Sequence, residues 1–276
     1  MNKPQKKIIQ ELNENGVAFS HVKELFDKKT INYFNDGIEY FNNFLSSPHI
    51  QERCQRITSG NPIRDRNKWY EITAYEYLHR ALGLDDGGII KMYLSPKITT
   101  IAESFHGSVP RVRNILTWVH PQNSSSREMA SQVWHRDQED YKILKVFILF
   151  SNVTSVTGPL QYVKKTFYGG KYEDITNNMN GQSTSVFKYP IPQEETVSCE
   201  GEAGTIIFVN TNGLHKGGLV KEGVRCLTQA NFLNPQAPLI KNGTLPTFNY
   251  SSKFNSLDYE SKSYKSLDSK QKLILS

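Results

Sequence analysis

Cysteine is scarce in this chain: Cys54, Cys199 and Cys226 are the only three in 276 residues, an odd number without paired spacing. A disulfide framework is not expected on that count, and a reducing cytoplasm is the expected setting. No apolar stretch approaches the roughly 18 residues that a membrane-spanning helix needs. The charged start Met1-Asn2-Lys3-Pro4-Gln5-Lys6-Lys7 is not followed by the apolar core of an export signal. Internal repeats are missing too, which argues against solenoids and propellers. Charge of one sign is in short supply: 33 Lys and Arg against 27 Asp and Glu leave a formal +6. That balance suits an anionic small-molecule substrate, is equally served by plain solvation, and is too slight for a nucleic-acid footprint.

Aromatic residues, by contrast, are plentiful. Fourteen Phe and fourteen Tyr give ample material for the core of one large domain. The first half reads helical. Ile8, Ile9 and Leu12 share one side of residues 4–14, Asn15-Gly16 breaks that helix, and Val17-Ala18-Phe19 reads as a strand. From Asp27 to Leu45 the apolar positions Ile31, Phe34, Ile38, Phe41 and Phe44 recur at helical spacing and stop before Pro48. Gly37 inside that helix costs about 1 kcal/mol relative to Ala. Residues 46–67 are polar and read as a solvated loop, Tyr70 to Leu82 as a helix, and Ile89 to Leu94 as a strand. Ser95-Pro96 then opens a helix over residues 96–105, with Ser as N-cap and Pro at the first helical position.

From residue 112 the rhythm changes to short strands separated by Gly, Pro, Asn and Ser. Strands are expected at 112–119, 132–135, 143–150, 160–163, 196–199, 205–209 and 225–232, the pattern of a sandwich or barrel. The expected fold class is α+β, mainly β: a double-stranded β-helix (jelly roll, cupin-like) with flanking N-terminal helices. Residues 1–236 read as a single domain and 237–276 as a C-terminal extension. The insertion at 165–194, rich in Gly, Asn, Tyr and Lys, is long enough to serve as a lid.

Within this frame His135-Arg136-Asp137 is the most informative motif. Side chains alternate along a strand, so His-x-Asp places an imidazole and a carboxylate on the same side of the backbone. His215, at the end of another apolar run, supplies a third ligand. Two histidines and one carboxylate hold Fe(II) facially and leave positions open for a chelating cosubstrate and dioxygen. Zinc fits the same three ligands, but the open positions and Arg225, ten residues after His215, favour iron with a keto acid. Arg225 starts an apolar strand; pointing inward, its charge needs a partner, which a bound dicarboxylate supplies by a bidentate pair. Ile143, Lys145, Phe147 and Leu149 share one strand face. If it faces the barrel, Phe147 packs on the cosubstrate and Lys145 meets a carboxylate or phosphate; if not, Lys145 snorkels over apolar surface. Arg136 and Trp134 flank the ligands as candidate walls of a substrate pocket, and Lys91 is a further candidate.

The order of these segments is shared with a known family. Trp134-His135-Arg136-Asp137 precedes the run Ile143 to Phe150; Gly158-Pro159-Leu160 and Gly204 to Val209 follow, and Leu214-His215-Lys216-Gly217-Gly218 leads to the Arg225 strand. Over residues 85–235 this resembles the phytanoyl-CoA dioxygenase family of Fe(II)/2-oxoglutarate oxygenases. The resemblance implies His135, Asp137 and His215 as iron ligands, Arg225 and Thr117 as contacts to 2-oxoglutarate, and dioxygen as second cosubstrate. The implied activity is hydroxylation of an aliphatic C–H with release of succinate and carbon dioxide. Desaturation or cyclisation by the same ligands, or a silent jelly-roll binding protein with a structural metal, are the rival readings. The chain departs from the family at Lys164-Lys165-Thr166-Phe167, where Pro-Gly-Ser-His is common, and at Gly217, where a small hydroxyl residue is common.

Overall fold

The computed structural model describes residues 1–60, 72–73, 88–124, 128, 130–137, 139–175, 189–237 and 267–275. The chain begins with α1 (Lys3–Asn15), capped by a reciprocal pair between Asn2 and Gln5. It ends at Gly16, whose φ of 80° only glycine adopts without strain. Strand β1 (Val17–His21), α2 (Val22–Leu25) and α3 (Lys28–Ser46) follow, the last with the Asp27 side chain accepting from Thr30 N. Then come α4 (Pro48–Thr58), β2 (Ile72–Thr73), α5 (Gly88–Tyr93) and α6 (Pro96–His106). The remaining strands are β3 (Arg111–Pro121), β4 (Ile143–Leu149), β5 (Leu160–Val163), β6 (Thr196–Cys199), β7 (Thr205–Asn210), β8 (His215–Gly217) and β9 (Val224–Leu233). Helix α7 (Ser269–Leu275) is the last described element.

Two antiparallel sheets form, ordered β1-β7-β4-β9-β3-β2 and β6-β5-β8. Strict alternation along the central strands sorts the side chains. Leu144, Val146 and Ile148 of β4, with Ile206 and Phe208 of β7 and Ala230 and Phe232 of β9, face the helices. Phe147, Leu149, Ile207, Val209 and Leu227 face the other way, against Tyr162 of β5 and Cys199 of β6. The result is a double-stranded β-helix whose larger sheet carries a helical layer outside and encloses the site inside.

The helical layer buries Ile8, Leu12, Phe34, Phe41, Phe44, Ile98 and Phe105 in one cluster with the outer sheet face. Phe150 anchors it, its ring centroid 4.9 Å from that of Phe34 and 5.0 Å from that of Phe41. Gly37 sits where a Cβ would run into the Phe150 ring, so the glycine in α3 is there for close approach. Helix α7 joins the same cluster through Ile274 and Leu275, and Gln271 Nε2 donates to Leu94 O at 3.1 Å.

Four sequence expectations are corrected. Residues 48–58 form α4 and not a loop: Pro48 sits in its first turn, and Ile50 and Ile57, two turns apart, bury its inner stripe. Residues 88–93 form helix α5 and not a strand, with Ile89, Ile90, Met92 and Tyr93 all buried. Ile72–Thr73 pair with Val119 and Trp118 as strand β2, whereas a helix was expected over 70–82, most of which lies outside the described residues. In place of a strand at 132–135 there is a 3-10 turn, Ala130–Gln132, and a single bridge at His135.

Candidate metal centre

Backbone hydrogen bonds bring two distant segments together at the mouth of the barrel. His135 N donates to His215 O and His215 N to His135 O, both at 2.9 Å, so the two residues form a bridged antiparallel pair. Two residues on, Asp137 N donates to Thr211 O at 2.9 Å, which turns its carboxylate to the same side as His135. One ligand atom from each of His135, Asp137 and His215 lies within 4.8 Å of the others, and His215 Nε2 is 3.9 Å from Asp137 Oδ2.

The imidazoles are oriented for metal binding. His135 Nδ1 faces Val133 O at 2.8 Å and His215 Nδ1 faces Gly213 O at 2.9 Å. A carbonyl only accepts, so each Nδ1 carries the proton and each Nε2 presents its lone pair. Burial, helped by the neighbouring His135, pushes the His215 imidazole down to about 3, and burial lowers His135 as well. For Asp137, burial works to raise the carboxyl. The Lys145 ammonium and the two histidines outweigh it and hold the group well below the usual carboxylate range. Two neutral imidazoles and one carboxylate at neutral pH are the protonation states a divalent ion requires.

The triad opens into a cavity of about 200 Å³ whose walls include Trp118, His120, Phe147, Leu149, Leu227 and Gln229. Arg225, 6 % exposed, lines the same cavity beside His120, its partner across β3 and β9. Lys145 and Phe147 point in as well, and Lys145 Nζ lies 2.6 Å from Asp137 Oδ2. The cavity therefore holds a group of side chains that could bind a metal at one part of its wall and a guanidinium at another, with aromatic and aliphatic side chains between. That arrangement suits a small anion able to chelate a metal at one end.

Other candidates from the sequence lie elsewhere. Thr117 shares a face with Ile115 and Val119, which belong to the helix-side core, and it pairs with Thr228, to which Tyr93 Oη hydrogen-bonds at 2.7 Å. It does not reach the cavity. Arg136 turns away between the two ligands, and its Nη2 donates to Glu173 O at 2.6 Å. Lys91 belongs to α5, its ammonium 5.8 Å from the Tyr33 ring centroid, and Trp134 lies against Lys216 at 5.3 Å. Trp118, His120 and Gln229 are cavity residues that the sequence reading missed. Their signal was alternation with Arg225 and Leu227 once β3 is registered on β9. The insertion begins on the ligand segments: Thr166 Oγ1 accepts from Leu214 N at 2.8 Å, and Asn212 Oδ1 accepts from Tyr168 N at 2.8 Å. Its residues 176–188 lie outside the described ones.

No family model and no curated protein matches the chain. Solved structures do. The chain is similar to the epimerase SnoN in complex with Fe3+, alpha ketoglutarate and nogalamycin RO, at 13 % identity over 84 % of either chain, TM-score 0.56. It is similar to the non-heme alpha ketoglutarate dependent carbocyclase SnoK at 14 % identity over 85 % of this chain and 84 % of that one, TM-score 0.52. EctD from S. alaskensis with bound Fe matches at 13 % identity over 86 % and 80 % of the two chains, TM-score 0.51. Likeness at these identities establishes the shared double-stranded β-helix fold.

Proposed function

We propose that the chain is an Fe(II)/2-oxoglutarate-dependent dioxygenase of the phytanoyl-CoA dioxygenase type, hydroxylating an aliphatic C–H of a small molecule. The observation that carries this reading is one cavity holding both His135, Asp137 and His215, their donor atoms gathered, and Arg225. His135 and His215 would bind iron through Nε2 and Asp137 through a carboxylate oxygen. With 2-oxoglutarate and dioxygen bound, the iron would supply the oxidising power for C–H chemistry. The chain's own residues do the rest. Arg225 would take the far carboxylate of 2-oxoglutarate, Phe147 and Leu227 would wall its methylene groups, and the apolar part of the lining would limit water. All of these residues lie in the 1–236 domain, and α7 of the C-terminal extension braces its helical side.

The similar structures include an epimerase and a carbocyclase as well as EctD, so the same fold supports other oxidative outcomes. A second reading, cyclisation or desaturation in place of hydroxylation, rests on that observation. No helix among the described residues is long and apolar enough to cross a membrane; with three free cysteines, a cytoplasmic setting fits.

Conversion of 2-oxoglutarate to succinate by the purified chain with added Fe(II), without substrate, tests the proposal. Turnover that vanishes in Asp137→Ala and in His215→Ala is the expected result. A wild-type chain that binds iron and releases no succinate would make it a binding protein with a structural metal.

A further inference from the structure

Lys145 presents an ammonium to the ligand carboxylate from a position it cannot leave. It stands in the middle of the larger sheet, paired with Val209 on one side and Asn231 on the other, so only its side chain can move. Its Nζ contacts Asp137 Oδ2, the oxygen that also faces His215 Nε2. Both side chains are largely buried, at 16 % and 14 % exposure, so water screens the pair weakly.

The contact has a consequence for a metal. A divalent ion that takes Asp137 Oδ2 must displace the Lys145 ammonium from it, and the displaced ammonium stays in the cavity because its backbone is fixed in the sheet. A carboxylate of 2-oxoglutarate bound in the same cavity would give that ammonium a new partner. We propose, resting on the reading above, that Lys145 makes metal and 2-oxoglutarate binding interdependent, opposing the ion alone and favouring the pair. The coupling is reciprocal: a bound divalent ion tightens the cosubstrate by the same factor. Lys145 is then a positioning residue for the order of assembly.

Mn(II) titration of the purified full chain, with the free ion followed by electron paramagnetic resonance, reads this out without turnover. Chelation by 2-oxoglutarate tightens the ion in any such site, so the discriminating quantity is how far a substitution changes that effect. A full charge a few ångströms from a divalent ion shifts its affinity by roughly tenfold or more even under strong screening. Lys145→Met should therefore bind Mn(II) alone about tenfold more tightly than wild type and gain correspondingly less from 2-oxoglutarate. Lys145→Gln should behave like Lys145→Met, and Lys145→Arg like wild type. Weaker Mn(II) binding in the neutral variants would show that Lys145 orients Asp137 for the metal, and would overturn the proposal. So would an unchanged effect of 2-oxoglutarate, or a wild-type chain whose Mn(II) affinity ignores it. Wild-type protein that binds no Mn(II), or a His215→Ala variant that binds it undiminished, would instead defeat the triad reading itself.

Discussion

Arg225 bears the sharpest expectation at the level of single residues. It is buried, lines the cavity and stands apart from the ligand set. Arg225→Ala should raise the KM for 2-oxoglutarate about a hundredfold or more, the equivalent of roughly 3–5 kcal/mol for breaking a buried ion pair. Arg225→Lys should recover only part, lacking the planar fork. Steady-state succinate formation against 2-oxoglutarate concentration measures both, and unchanged dependence in Arg225→Ala would assign that carboxylate to another group. His106, at the end of α6, carries a second expectation. Burial pushes its imidazole down to about 4, the nearby Phe232 backbone acting against it and the Lys142 charge with it. The unfolded chain takes up that proton near 6.5, so this contribution to stability is present above about 6.5 and is lost as pH falls towards 4. The loss amounts to about 3 kcal/mol at most. Urea unfolding at pH 7 and pH 5 should show a smaller drop in His106→Phe than in wild type. At this scale the gathering of His135, Asp137 and His215 was legible in the His-x-Asp spacing and the lone His215, although the bridge to His215 and the bond from Asp137 N to Thr211 O, not a strand, set their directions. Thr117 was not: the register shift between Val112 and Asn114 resets the alternation of β3, and a sequence does not show which parity a bulged strand adopts.

Elements show where local propensity and packing pull apart. Gly37→Ala should gain up to about 1 kcal/mol in helix propensity, but its methyl meets the Phe150 ring. Overpacking of that kind costs roughly 1–3 kcal/mol, so packing wins and the variant should melt earlier than wild type. A raised Tm would mean that α3 shifts freely over the sheet. The longer strands of the barrel were readable to within a residue or two, since β4, β7 and β9 are apolar runs set off by turn residues. Helices α4 and α5 were not. In α4 only Ile50 and Ile57 mark the buried stripe among eleven mostly polar residues. The six residues of α5 are too few for periodicity to separate a buried helix from a strand. Strand β8 has three residues and exists because β5 and His135 pair with it, a long-range cause that leaves no local trace.

Taken whole, the molecule holds its site by joining segments far apart in sequence. The large sheet positions Lys145, Phe147 and Arg225, the bridge between His135 and His215 brings the candidate ligands together, and helices brace the sheet from outside. Helix α7 belongs to that brace: Ile274 and Leu275 are buried against it. Removing residues 268–276 should destabilise the fold by roughly 3 kcal/mol, from the side chains of Ile274 and Leu275 returned to water. Chemical denaturation checks this; unaltered stability would make α7 a passive appendage. The central claim is that His135, Asp137 and His215 hold an iron that 2-oxoglutarate chelates in the cavity of Arg225. Anaerobic visible absorption tests it most directly, because a keto acid bound through both donor atoms to Fe(II) gives a charge-transfer band that neither component shows alone. The account predicts a band that saturates at one iron per chain when both are added, and that is lost in Asp137→Ala and His215→Ala. Iron bound without the band, or a band that survives both substitutions, would contradict it.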